Sequence, residues 1–297
     1  MIMPRLPSLP SFVGGEDPGP SFTALLAAAG HRLDGLAGVD RDLPAVAHAT
    51  TVVALRHRDG VVMAGDRRAT AGNLISHRTI EKVYPAGRHA GVAIAGAAGP
   101  SMEMVRLFQL QLEHYEKVEG QPLSLEGQAN QLSQMVRANF ASALRGLVVV
   151  PLFAGWDERC GCGRLFQYDV TGGRYEEQDF AAGGSGSLHA GTVVKLGFRP
   201  GLPPADAVDL AVSALFEAAD EDAATGGPDL VRGIFPVVAN IDADGYQRLD
   251  DATVEARFRA LLAPADGLAD APSDGPAGAP AGRSADAPTE AVPDDAA

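Results

Sequence analysis

Three residues could together do chemistry. Thr50 opens the stretch TTVVALRHRDGVVMAGD, Asp66 follows 16 residues later and Lys82 another 16 after that. A threonine hydroxyl is a weak nucleophile unless a base sits beside it, and a free α-amino group on the same residue can be that base. Such an amine has a reference pKa of about 7.7–8.0, so much of it is neutral near pH 7; a lysine ammonium near 10.4 is not. The amine exists only if the chain is cut before Thr50, so residues 1–49 read as a propeptide removed at the Ala49–Thr50 bond. A buried lysine needs a paired carboxylate. Lys82 held by Asp66 would stay charged, and a cation near the amine would disfavour its protonation. By residue type and spacing alone, the same set is equally compatible with a Thr, an Asp and a Lys on a solvated surface.

The surrounding elements decide whether these residues can meet. Thr50–Leu55 is β-branched and apolar and reads as a strand. His57–Gly60 supplies the Asp-Gly hairpin signal, and Val61–Ala64 is a second strand. That hairpin would return the end of the second strand, where Asp66 sits, to Thr50. Val92–Ala95 is another strand, ending at Gly96. Val105, Phe108, Leu112 and Tyr115 recur at helical spacing after a start at Pro100–Ser101. A second helix is expected over Ser124–Leu144, with Leu132, Met135, Val136 and Phe140 on its apolar side. Strands return at Leu147–Trp156, Gly163–Val170 and Gly173–Phe180. Ala205–Ala219 reads as a helix, Phe235–Asp242 as a strand and Thr253–Leu262 as a last helix. This order is not the alternation of a parallel βαβ fold. It fits an α+β domain of two antiparallel sheets covered by helices.

Composition bounds the rest. The net charge of −14 argues against nucleic acid as a partner. From Ala263 onward the chain holds seven acids, one base and almost no large apolar residue, and it reads as a disordered acidic tail. Residues 1–20 are rich in Pro, Gly and Ser, and Ser21–Leu36 has the composition of a short helix. The domains are then a propeptide (1–49), a catalytic domain (50–264) and a tail (265–297). No apolar run is long enough for a transmembrane helix. An export signal is not indicated, because Glu16 and Asp17 precede the apolar run and about fifteen residues separate that run from Ala45-Val46-Ala47. Cys160 and Cys162, in RCGCG, read as two incidental thiols in a glycine-rich turn. Their low number suits a reducing, cytoplasmic setting.

TTVVALRHRDGVVMAGDRRAT resembles the start of a mature proteasome β subunit, and the resemblance extends from Thr50 to about Leu262. GSGS at Gly184–Ser187 and DEDAATGGPDLVRGIF at Asp220–Phe235 resemble that family's other site segments. The wording TGGPDLVRGIFP, the long prosegment and the HATT junction are similar to the actinobacterial type. The resemblance implies the four-layer αββα sandwich of N-terminal nucleophile hydrolases and a threonine-type endopeptidase. It implies that Thr50 is the nucleophile and that Asp66 and Lys82 set its electrostatics. Ser185, Asp222 and Thr225 would form a polar network beside the amine; the family more often has Ser where Thr225 stands. Gly96 would offer its N–H to the oxyanion, and Thr70 would hold an extended substrate by backbone hydrogen bonds. Ala69, Ile94, Ala98 and Met102 would line an apolar pocket for the side chain before the cut. Self-cleavage at Ala49–Thr50 would free the amine, with small residues at Ala47 and Ala49 permitting the tight turn this needs. His48 is expected to be a solvated linker residue rather than a helper base.

The same resemblance implies partners: seven-membered β rings stacked on one another, α-subunit rings, a ring ATPase unfoldase and substrates tagged with a prokaryotic ubiquitin-like protein. No metal or organic cofactor is needed by this chemistry, and neither membrane nor nucleic acid is expected as a partner. Three other readings compete. A hexameric two-component bacterial threonine protease shares the Thr, Asp and Lys spacing but usually lacks so long a propeptide. A non-catalytic ring subunit tends to lose the Thr or the Lys. A small-molecule amidase of the same nucleophile class would leave the further shared motifs unexplained.

Overall fold

The computed structural model describes residues 50–262. The expected propeptide, its helix at 21–36, Ala49, His48 and the acidic tail lie outside the described residues. Two five-stranded antiparallel sheets form the middle of the domain. One contains β1 (Thr51–His57), β2 (Gly60–Gly65), β10 (Phe180–Gly184), β11 (Val237–Asp242) and β12 (Gly245–Arg248), in the order β10-β1-β2-β11-β12. The other runs β5-β6-β7-β8-β9, from β5 (Val83–Pro85) through β6 (Ala90–Gly96), β7 (Val149–Asp157) and β8 (Cys162–Tyr168) to β9 (Arg174–Glu177). A separate small hairpin pairs β3 (Ala69–Ala71) with β4 (Leu74–His77).

Side chains alternate across each strand, so each sheet has two faces to bury. Val52 and Ala54 of β1 point into the layer between the sheets with Val61 and Met63 of β2, Ala93 and Leu152. Val53 and Leu55 point the other way, onto α4 (Ser187–Gly197), α5 (Pro204–Glu221) and α6 (Asp251–Leu262). On the second sheet Val92, Ile94, Val149 and Phe153 face α1 (Ala98–Glu119) and α2 (Leu125–Ala138). Both sheets are therefore covered on both faces, which is why β1 and β2 read as nearly continuous apolar runs. The result is the expected α+β sandwich of helix, sheet, sheet and helix layers.

Several expectations are corrected in detail. Gly173–Phe180 is not one strand: β9 closes the second sheet, and β10 begins at Phe180 in the first, beside β1. The expected helix over Ser124–Leu144 stops at Ala138, with a single turn, α3 (Phe140–Ala143), beyond it. Ser124 is its N-cap, with Oγ accepting the Gly127 N–H at 3.2 Å. Tyr115 and Phe140, expected on apolar faces, are each 37% exposed rather than buried. The first helix starts at Ala98, before Pro100, and α4, β3, β4, β5 and β12 had no clear sequence signal. Cys160 and Cys162 are not free thiols, but form a disulfide at the tip of the β7–β8 hairpin. Among the described residues no helix is long and apolar enough to cross a membrane.

Phe153 joins β7 to the helical layer. Its ring meets Phe108 edge-on at 6.0 Å and stacks on Phe166 at 6.1 Å, and it is fully buried. Phe153→Ala is expected to lower stability by about 3–5 kcal/mol, read as a fall in the denaturant midpoint.

Candidate active site

The β1–β2 hairpin brings Asp66 back to the head of β1. Val52 is opposite Gly65, and one step on the Asp66 N–H donates to the Thr51 carbonyl at 3.1 Å. The Asp66 side chain is fully buried, and its two oxygens accept four hydrogen bonds. Oδ1 takes the Thr51 N–H at 2.8 Å and Lys82 Nζ at 2.6 Å. Oδ2 takes the N–H groups of Arg68 and Gly226, each at 2.9 Å. Lys82 enters from the chain just before β5, and its Nζ also donates to the Arg68 carbonyl at 2.6 Å. Burial pushes the Lys82 ammonium below its ordinary pKa; the Asp66 charge and hydrogen bond oppose that shift without cancelling it.

Thr50 is buried at the head of β1. Its carbonyl accepts the Ser185 N–H at 2.9 Å. Gly184, beside it, has φ +95°, and a Cβ there would lie 1.7 Å from the Thr50 oxygen. Only glycine fits so close to that carbonyl.

A row of hydroxyls continues from this point. Each hydroxyl has one proton to give. Thr225 gives its proton to Asp222 Oδ2 at 2.6 Å, and Ser185 gives its own to the same oxygen at 2.5 Å. Thr225 can then only accept from Thr51, whose Oγ1 lies 2.5 Å away. The Thr51 hydroxyl in turn accepts the Gly186 N–H at 3.0 Å. Burial pushes the Asp222 carboxyl up, but the bonds from Ser185, Thr225 and the Ala224 N–H outweigh it and hold its pKa below the ordinary value.

On the other side of Thr50 lies a cleft. Thr50, Lys82, Ala69, Thr70, Ile94, Gly96, Ala98 and Met102 all line it, so every pocket residue expected from the sequence is brought together. Its empty space is about 450 Å³, open mouth included. Thr70 sits on β3, which pairs with β4 on one side only. Gly96 ends β6 with φ +129°, where a Cβ would lie 2.1 Å from the Val148 carbonyl. The neighbouring Ala97 N–H donates to that carbonyl, toward β7. Ile94 N–H donates the opposite way, to Lys82 at 2.9 Å. By alternation the Gly96 N–H follows Ile94, but β5 begins only at Val83, so this donor points past the strand's end into the cleft.

Sequence reasoning missed several residues here. Thr51 ties the hydroxyl row to Asp66, and its signal was the paired threonines themselves. Ile80, Glu81 and Tyr84 also line the cleft but lie in or just before β5, which was not recognised; Ser101, at the expected helix start, lines it too. Ser185, Asp222 and Thr225 are gathered as expected, though behind Thr50 rather than in the cleft. Among the described residues no group of His, Cys, Asp and Glu is arranged to hold a metal ion.

Comparison with known proteins shows the family to which the chain belongs. Residues 46–231 match the family model described as proteasome subunit. The chain is 62% identical over 249 residues to a proteasome subunit beta of Acidimicrobium ferrooxidans, covering 84% of this chain and 91% of that one. It is 56% identical over 215 residues to that of Acidothermus cellulolyticus (71% and 74%). With that of Jonesia denitrificans it shares 54% identity over 205 residues (69% and 68%).

Thr51→Val keeps the shape of the side chain and removes its hydroxyl. The Gly186 N–H then loses its acceptor and Thr225 its donor. A loss of about 1–3 kcal/mol is expected in chemical denaturation at matched protein concentration. An unchanged midpoint would mean that the hydroxyl row does not support the fold.

Proposed function

Because the chain belongs to the proteasome family as a β-type subunit, we propose that it hydrolyses peptide bonds with Thr50 as an N-terminal nucleophile. The observation that carries this reading is the convergence, in one cleft, of Thr50, Gly96 and a Lys82 that is paired to buried Asp66.

In the proposed reaction an extended peptide lies along β3, adding a strand beside Thr70. The side chain before the cut enters the pocket between Ala69, Ile94, Ala98 and Met102, whose apolar walls favour an apolar residue. Thr50 Oγ attacks the peptide carbonyl while the Thr50 amine takes the hydroxyl proton. Negative charge develops on the carbonyl oxygen and is met by the Gly96 N–H. The amine returns the proton to the departing nitrogen, leaving an ester on Thr50. Water, deprotonated by the same amine, hydrolyses the ester and restores the hydroxyl. Lys82 acts by charge: its ammonium raises the cost of protonating the amine. Asp66 keeps that ammonium charged in a buried site. Ser185, Asp222 and Thr225 act through Thr51 and the Thr50 carbonyl, fixing where the nucleophile stands.

Maturation uses the same hydroxyl once, before the amine exists, and the Thr50 nitrogen leaves as that amine with the hydroxyl proton. Thr50 Oγ attacks the Ala49 carbonyl, the peptide bond gives way to an ester, and water releases residues 1–49. We place the enzyme in the cytoplasm, in stacked heptameric β rings capped by α-subunit rings. A ring ATPase would feed it unfolded chains marked by a ubiquitin-like protein.

Intact mass and N-terminal sequencing test the nucleophile. The full chain, co-expressed with an α-type partner, should begin at Thr50, and Thr50→Ala should retain residues 1–49. An uncut wild type in assembled rings would remove the assignment. The pH profile tests the base. Turnover should be flat above the amine pKa and fall as pH drops below it, because the protonated amine cannot accept. With Lys82 beside it, that midpoint should lie below the reference of about 7.7–8.0.

A further inference from the structure

Far along the second sheet from Gly96, the β7–β8 hairpin ends in Cys160-Gly161-Cys162. We propose that this pair is a reversible thiol–disulfide exchange site, open to small thiols, that cycles while the domain stays folded. Nothing in the peptidase reading uses it, and the proposal stands apart from that reading.

Three observations carry it. The two sulfurs are joined across a sequence separation of two, with Cα atoms 5.3 Å apart. Closing so short a loop removes very little freedom from the unfolded chain, so the bond adds little to stability. Cys160 and Gly161 are exposed and Cys162 is half-buried, which leaves an approach for a nucleophile.

The turn is also held without the sulfurs. The Asp157 carbonyl accepts the N–H groups of Cys160 and Gly161 at 3.2 and 2.9 Å, and its Oδ1 accepts the Arg159 N–H at 3.0 Å. Arg164 grips the other carboxylate oxygen at 3.0 Å and is itself held by Glu126 and Glu176. Gly161 takes φ +61°, as the turn demands. Reduction would therefore leave both thiols facing one another, ready to close again.

The step balances with a low-molecular-weight thiol as reductant. Its thiolate attacks the exposed Cys160 sulfur, the S–S bond breaks, and Cys162 leaves as a thiolate that takes a proton. A second thiol attacks the mixed disulfide, releases the small disulfide and frees Cys160. Two electrons pass from two thiols to the protein, and oxidised thiol reverses the sequence.

The test uses the full-length chain, native and without denaturant. It is equilibrated in glutathione buffers of graded ratio, quenched with an alkylating agent and weighed intact. The expected result is a smooth passage from no alkyl groups to two, the same in both directions, with circular dichroism unchanged. Thiols still alkylated in the most oxidising buffer would overturn the proposal, as would a disulfide that opens only with unfolding. Cys162→Ser isolates the exposed sulfur. It should form a mixed disulfide with glutathione at Cys160, while peptidase turnover stays within about twofold of wild type. Failure to form that adduct in the folded variant would also overturn the proposal.

Discussion

One carboxylate organises the site. Asp66 is sealed from water, and an ionised group in that position costs several kcal/mol unless donors surround it. Four donors do so, and they come from four places in the chain: the head of β1, the turn after β2, the approach to β5 and the loop after α5. Each place carries something the site needs. Thr51 carries the position of Thr50. Arg68 leads into β3 and Thr70. Lys82 brings the cation, and Gly226 follows directly on Thr225. A rearrangement of any one segment would uncover charge at Asp66, so the buried carboxylate fixes all four together.

Around this centre Thr50 has two different neighbourhoods. The cleft side is open and mixed, with Ile94, Ala98 and Met102 as apolar walls and Lys82, Thr70 and Ser101 among its polar lining. The far side is polar, with Thr51 and Thr225 buried and their hydroxyls, with that of the more exposed Ser185, converging on Asp222. The proposed chemistry needs this division. A reacting group must be accessible on one side, while its backbone must be immobile on the other.

Much of the fold was legible because the two sheets are covered on both faces. Continuous apolar stretches such as Thr51–Leu55 and Val61–Ala64, punctuated by Asp59-Gly60, leave little choice but a buried hairpin. That hairpin alone predicts the meeting of Thr50 and Asp66. The short edge elements were not legible. β3, β4 and β5 have three or four residues each, too few to show a period, and β4 is exposed throughout. α4 begins in the glycine-rich GSGS, whose residues serve the Thr50 carbonyl and the Thr51 hydroxyl before they serve a helix. The break between β9 and β10 was hidden because Gln178-Asp179, where the chain changes sheet, holds no Gly or Pro to mark it. The cysteine pair was misread on a sound rule about spacing. Here the turn, pinned by Asp157, brings the two sulfurs together without the bond having to bend the chain.

The hydroxyl row also has a direction. Every proton in it points toward Asp222, starting from the Gly186 amide and passing through Thr51 and Thr225. That orientation suits an anion at Asp222, whose two oxygens only accept. A proton placed on Oδ2 would compete with the two hydroxyls that donate there. The row cannot simply reverse, because its first member is a main-chain amide that can never accept. The chain at Thr51 is thus tied through two hydroxyls to a carboxylate, and the lowered pKa of Asp222 favours the anion that accepts at the end of the row.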